Sequence, residues 1–278
     1  MKLTIKQKDL GNAIKILNIL SGNGYCADIK IKNIKQKAVK GDRHKPKSVE
    51  AKDVKQEEKI QIVTPKTMKS TWKSISEMIK AGKVEEFLCV GDKIPFRMKD
   101  GTEVVAVVAH VKNKGVYFVI EDAIVRHPMY KLIPGNEVIS WSGSDMRRYL
   151  NKEAFKNLPP ALAAVIKKRT IQQNVAGNRY VTKDRLWLPS YTEVFGKTSD
   201  GKVCQADGEN EFHFDLFNDE KSRVKQYKGE TTWWFLRTKN NPEYPFTTSF
   251  RTANNHGTKN SQFATYMCGV CFGFYIGN

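Results

Sequence analysis

Residues 103–121 read EVVAVVAHVKNKGVYFVIE. Two apolar runs, Glu103–His110 and Val116–Glu121, are rich in β-branched and aromatic residues, and KNKG at 112–115 parts them with a turn that ends in glycine. The pattern predicts a pair of apolar strands joined by a short turn. No internal repeat surrounds it.

Toward the C-terminus, Trp141–Leu150 (WSGSDMRRYL) and Glu153–Phe155 predict a helix capped by Ser142 or Ser144, with Asp145 in its first turn. Pro159–Lys167 predicts a second short helix begun by proline. Arg185–Pro189 is expected to be a short strand and Tyr191–Phe195 a helical turn. From Glu230 on, aromatics, Gly, Asn and Thr alternate as short strands in long loops would require. Trp233, Trp234, Phe235 and Leu236 are too large and apolar to stay exposed together, and Phe250 and Phe263 look like further anchors. Gly269, Val270, Phe272, Phe274 and Ile276 predict a final strand whose natural partner is Val104–His110.

Toward the N-terminus, Ser70–Ala81 predicts a helix with Trp72, Ile75, Met78 and Ile79 on one face and Gly82 as its stop. Asp9–Leu20 predicts another, with Asp9 as cap. Ala27–Ile34 alternates as a half-buried strand does, and Lys59–Thr64 is its expected partner across a lysine-rich loop.

The 278 residues are 40% hydrophobic and 10% aromatic, enough for a sizeable core. The net charge of +18 points to an acidic partner or to solubility. No reading helix or finger of a sequence-specific DNA binder is visible. Five irregularly spaced cysteines (Cys26, Cys89, Cys204, Cys268, Cys271) suit reduced, mostly buried thiols. No apolar run approaches the ~20 residues that cross a bilayer. The opening MKLTIKQKDL lacks the apolar core of a signal peptide. The expectation is synthesis in the cytoplasm, no membrane insertion, and exit, if any, by lysis or with a virion.

Several words in order carry a resemblance: GDKIPFRMKDGTEVVAVVAHV, WSGSDMRRYLN, LWLPSYTEVFG, TTWWFLRT and GVCFGFYI. Over about residues 70–278 the chain resembles a domain family widespread in gut bacteria and their prophages, whose fold is similar to the C-type lectin fold. The resemblance implies an α+β protein with a C-type-lectin-like, ligand-binding domain in about 87–278. A linker helix (66–86) and a small basic α/β unit with a Lys-rich loop (1–65) precede it. Some relatives are variable proteins of diversity-generating retroelements, in which codons between the WW motif and the final GV strand are rewritten. Here that interval is 238–266, dense in Asn, Thr, Ser, His and Tyr, which suit adaptable hydrogen bonding with aromatic contact.

The candidate ligand-binding residues are Asn240, Asn241, Tyr244, Thr247, Ser249, Arg251, Asn254, Asn255, His256, Lys259, Ser261, Gln262 and Thr265. The implied partner is a protein or glycan ligand, on a bacterial surface in the leading reading, and the protein can form an oligomer. Arg147 and Arg148 are expected to pair with backbone or acidic groups inside the fold.

No catalytic residue, metal or cofactor is expected. Glu211, His213 and Asp215 would share one face of a strand, but any amphipathic strand produces such a face. Cys268 and Cys271, three apart in an expected strand, would point to opposite faces. Formylglycine-generating oxidases use the lectin-like fold with paired copper-binding cysteines; here Cys204 stands alone and the 268/271 pair is poorly aimed. Asn241-Pro242-Glu243 reverses a calcium–sugar motif. Two alternatives stay open: a basic nucleic-acid-associated phage protein acting through residues 1–69, and an enzyme on the oxidase-like fold.

Overall fold

The computed structural model describes residues 71–278, apart from 113 and 136, and the backbone of three short strands nearer the N-terminus. The chain divides into two compact units, Met1–Thr64 and Pro65–Asn278. In the first, β1 (Lys2–Ile5), β2 (Cys26–Asp28) and β3 (Glu58–Val63) form an antiparallel sheet in the order β1-β3-β2. The expected partnership of the 27–34 and 59–64 segments is present over its first residues, with Ala27 opposite Ile62 and Asp28 opposite Gln61, and residues 29–34 lie outside the described residues. The helix expected at 9–20 and most of the lysine-rich loop lie outside the described residues.

The second unit carries the remaining strands: β4 (Lys93–Arg97), β5 (Glu103–Lys112), β6 (Gly115–Ile120), β7 (Arg126–His127), β8 (Ile166–Lys167), β9 (Arg169–Val175) and β10 (Asn178–Asp184). They continue as β11 (Lys225–Tyr227), β12 (Glu230–Thr232), β13 (Trp234–Lys239), β14 (Ser249–Ala253), β15 (Lys259–Phe263), β16 (Cys268–Gly269) and β17 (Gly273–Gly277). Two five-stranded sheets dominate, in the orders β4-β5-β6-β17-β8 and β15-β14-β13-β16-β7. All pairings are antiparallel except β13 with β16. The unit is a mixed α+β domain.

The β5–β6 hairpin forms where the two apolar runs and the turn between them placed it. The last strand takes a different partner. β17 pairs with β6, Phe274 opposite Phe118, and not with β5. The far edge of β5 is already filled by β4, with Ile94 opposite Ala106, so only β6 has an edge left to offer. The segment expected as one final strand is in fact two: β16 belongs to the second sheet, and after Val270–Phe272 the chain crosses to the first. At the crossing, a Cβ on Gly273 would lie 3.0 Å from the Phe118 carbonyl oxygen and 3.2 Å from Trp187 Nε1, so this close approach of strands requires glycine.

Two other expectations are corrected. The helix at 159 spans only Pro160–Ala163, because Ile166–Lys167 is drawn out as β8 against Ile276 and Tyr275. Residues 185–189 make no strand and contribute one bridge, Trp187 to Gly273.

The Trp72–Lys80 helix, capped by Thr71, buries Trp72, Ile75 and Ile79, and ends before Gly82 at φ +67°. Trp72 meets Phe96, Phe118 and Phe274 edge-on at 5.8–5.9 Å, which fastens the helix to the first sheet. The helix after Trp141 starts at Asp145 with Ser144 as cap and widens into a π turn at Leu150–Ala154. Arg147 binds the buried Asp184 at 2.8 Å, as expected, whereas Arg148 is exposed and binds Asp145 at 2.6 Å on the surface of the same helix, not inside the fold. Trp141, Trp187, Trp234, Phe214, Phe217, Phe235, Phe250 and Phe272 fill the core with no solvent contact.

Candidate ligand-binding surface

The second sheet holds up a polar surface, and its foundations are ionic. On β13, Arg237 donates to Glu193 at 2.7 Å and to the Leu188 carbonyl at 2.8 Å, and pairs with Glu211 at 2.6 Å. Arg169 on β9 closes the ring by pairing with Glu193 and, at 2.8 Å, with Glu211. Burial alone would raise the Glu193 carboxyl, but the guanidiniums of Arg169 and Arg237 outweigh it and hold the group down at about 2. Burial raises Glu211 to about 7 against the pull of Arg237 and Arg169, with Glu193 adding to the rise. Beside the ring, the buried Asp207 accepts from Thr192 and from Thr238. The group is sealed, with side-chain exposures of 11% or less, and it ties β9, β13 and the Tyr191–Phe195 helix together.

Above this ring β13 turns into the 240–247 loop. Lys239 is buried and donates Nζ to the carbonyls of Pro245 and Thr247; burial lowers its ammonium to about 8. Asn240 binds Ser249 twice, through backbone at 3.0 Å and through Nδ2 at 3.2 Å. Asn241 adopts φ +48°, a region that asparagine tolerates. The loop is also held from outside, by Ala176 N to the Pro242 carbonyl (2.7 Å) and Ile139 N to that of Pro245 (3.2 Å). So clamped, it leaves Tyr244 and Phe246 each 62% exposed.

β14 and β15 form a hairpin closed by Asn254–Thr258, where asparagine and glycine suit a tight turn. Asn254 Oδ1 accepts from His256 N (2.9 Å) and Thr258 N (3.1 Å), while Asn255 and His256 point outward, exposed. Gly257, at φ +75°, sits where a Cβ would fall 1.9 Å from the Glu220 carbonyl oxygen. The strand register divides the candidates. Ser249 faces Phe263 and Arg251 faces Ser261, so Ser249, Arg251, Ser261 and Lys259 share one side. Gln262 opposes Phe250 on the other side. Arg251 lies over the Tyr191 ring at 5.7 Å. On the outer edge of β15, Asn260 Oδ1 accepts from Ser261 N at 2.8 Å, which occupies a donor that an added strand would need.

None of the thirteen candidates is buried. They form three groups and no single cluster: Asn240, Asn241, Tyr244 and Thr247 in the loop; Asn254, Asn255 and His256 at the hairpin tip with Ser249, Arg251, Lys259 and Ser261 along one face; Gln262 and Thr265 on the other. The last two line an open cleft of about 510 Å³ with Arg126, Thr231, Trp233, Tyr266 and Met267. Only the Gln262 and Thr265 side of this cleft was expected. Arg126 arrives from β7, 136 residues before Gln262, and nothing local signals that approach.

Three readings are revised. Phe263 is no anchor, being 56% exposed against Tyr266 at 5.7 Å. Glu211, His213 and Asp215 form no strand: Glu211 enters the arginine ring, Asp215 pairs with His110 at 2.8 Å, and His213 Nε2 bonds the Phe217 carbonyl at 3.1 Å. Cys268 and Cys271 do not share a strand, but both thiols are buried and pushed up to about 12 by that burial. Among the described residues no three His, Cys, Asp or Glu side chains gather as a metal site would need, and no helix is long and apolar enough to cross a membrane.

Two five-stranded sheets with short helices, a clamped polar loop and an exposed hairpin define the class as a mixed α+β domain. The particular family follows from the sequence: a family model described as a domain of unknown function, DUF6273, matches residues 114–276, more than half of the chain, and the chain belongs to that family. No curated protein and no solved structure matches it.

Proposed function

We propose that this protein binds a ligand and performs no chemistry, on a C-type-lectin-like fold covering about residues 87–278. In this reading it is of phage or prophage origin, and residues 238–266 are the displayed, retroelement-diversifiable surface that meets a protein or glycan on a bacterial cell. One observation carries the proposal. Of the eight large apolar side chains exposed among the described residues, four (Tyr244, Phe246, Phe263 and Tyr266) fall in this one stretch and a fifth, Met267, adjoins it, interleaved with polar candidates of which none is buried. Uncovered aromatics on a rigid support are what recognition surfaces use, because little ordering entropy is lost on contact. The sealed Arg169–Glu193–Arg237–Glu211 ring offers no substrate access.

The test is binding of the fluorescently labelled full chain to a panel of intact gut bacterial strains. Replacing Tyr244, Phe246, Asn255 and His256 together with alanine is expected to lower binding at least tenfold, with near-UV circular dichroism unchanged. Undiminished binding by that folded variant contradicts the proposal.

A further inference from the structure

The cleft beside β7 and β12 has a composition that points to a ligand class. Trp233 is half-buried and Tyr266 is 52% exposed, so aromatic surface is left open to a flat apolar partner. Around it stand Thr231, Gln262 and Thr265, whose side chains can both donate and accept. Among the described residues none of these three side chains has a hydrogen-bond partner in the protein. Neutral groups that donate and accept, set beside an aromatic face, match a sugar ring with its hydroxyls on the rim and C–H bonds on its face.

Arg126 adds the charge. It is exposed, its guanidinium lies over Tyr227 at 5.3 Å, and among the described residues no carboxylate comes within ion-pair distance. One unpaired guanidinium suits one carboxylate, which it can bind through two parallel N–H groups. A nucleic acid would call for a row of cations along its phosphates, and this cleft has only one. No Asp or Glu lines the cleft, so it offers no carboxylate ligands for a calcium ion to bridge protein and sugar. The volume of about 510 Å³ falls in the range of small-ligand pockets.

We propose that this cleft binds an acidic saccharide by direct contact: Trp233 and Tyr266 take the ring face, Thr231, Gln262 and Thr265 take hydroxyls, and Arg126 takes the carboxylate. The assignment rests on the ligand-binding reading above and names the ligand class and a second face of the same sheet.

Calorimetric titration of the full chain in EDTA-containing buffer tests it, with two matched pairs as probes: sialyllactose against lactose, and cellobiouronic acid against cellobiose. At least one acidic member is expected to bind about tenfold to a hundredfold tighter than its neutral partner. Arg126→Gln should erase that preference, leaving the neutral sugar unaffected. Tyr266→Ala should weaken both members of the pair about tenfold, with the thermal midpoint unchanged. Equal affinity for the two members, or a preference retained in Arg126→Gln, overturns the assignment. If no saccharide binds while the chain still adheres to intact bacteria, the cleft assignment is wrong and the ligand-binding reading survives. If neither binds, both are wrong.

Discussion

Two strands of one sheet, separated only by β14, have opposite surroundings. All six residues of β13 are buried, including Arg237, Thr238 and Lys239; none of the five in β15 is. β13 is fixed by ionic and hydrogen-bonded contacts from Gln173, from the 188–193 and 207–211 segments, from Arg223 and from the 245–247 loop, whereas β15 keeps one side of its ladder and most of its side chains for solvent. The lesson is that burial here falls off across the sheet, strand by strand. The closest packing is concentrated in the central strand, and the freedom to change side chains at the β15 edge.

The largest expected effect lies in the ring under β13. Arg237→Met would leave Glu193 and Glu211 short of a shared cation in a sealed interior, at a cost of about 3–5 kcal/mol measured by urea unfolding. Phe250→Ala, in the middle strand, should cost about 3–5 kcal/mol through the cavity it leaves. A loss below about 1 kcal/mol in either would mean that the sheet's inner half is softer than its packing suggests. Gly257→Ala comes next, at about 1–3 kcal/mol, since it adds both strain at positive φ and a clash with the Glu220 carbonyl. At the outer end Ser261→Ala or Lys259→Ala should move stability by no more than about 0.5 kcal/mol.

The ring also sets a pH dependence. Glu193, held down at about 2 against 4.5, contributes stability that is complete above pH 4.5 and lost as the pH falls toward 2. Glu211, raised to about 7, acts in the opposite sense: its contribution is complete below pH 4.5 and is lost as the pH rises from 4.5 through 7, where the folded state keeps a proton the unfolded chain has released. Unfolding free energy should therefore be greatest near pH 4.5, falling on the acid side through Glu193 and between about pH 4.5 and 7 through Glu211. Glu211→Gln should flatten the alkaline fall and leave the acid fall in place. A profile flat between about pH 4.5 and 7 in the unmodified chain would contradict the raised carboxyl of Glu211.

Local chemistry was legible where one segment decides its own structure. The β5–β6 hairpin, the Trp72 helix with its Gly82 stop, the Ser144 cap and the Asn254–Gly257 turn all follow from residues within a few positions of each other. Pairings that depend on which edge is already taken were not legible: β17 turns to β6 because β4 fills β5, and no feature of Gly273–Gly277 announces that. Nor was the ring, since Arg169, Glu193, Glu211 and Arg237 are scattered over 69 positions and each reads alone as an ordinary surface charge. The polar composition of 238–266 marked exposed residues, but without the bounds and register of β15 it could not say that Phe263 faces out or that Gln262 and Ser261 serve different faces.

The separation between frame and surface is tested most directly by replacing Tyr244, Asn255, His256, Lys259 and Tyr266 together with alanine and recording urea unfolding and adhesion to intact bacteria on the same sample. Stability should shift by less than about 1 kcal/mol while adhesion falls at least tenfold. Adhesion that persists, or a fold that collapses with the substitutions, would show that these side chains belong to the frame or to nothing at all.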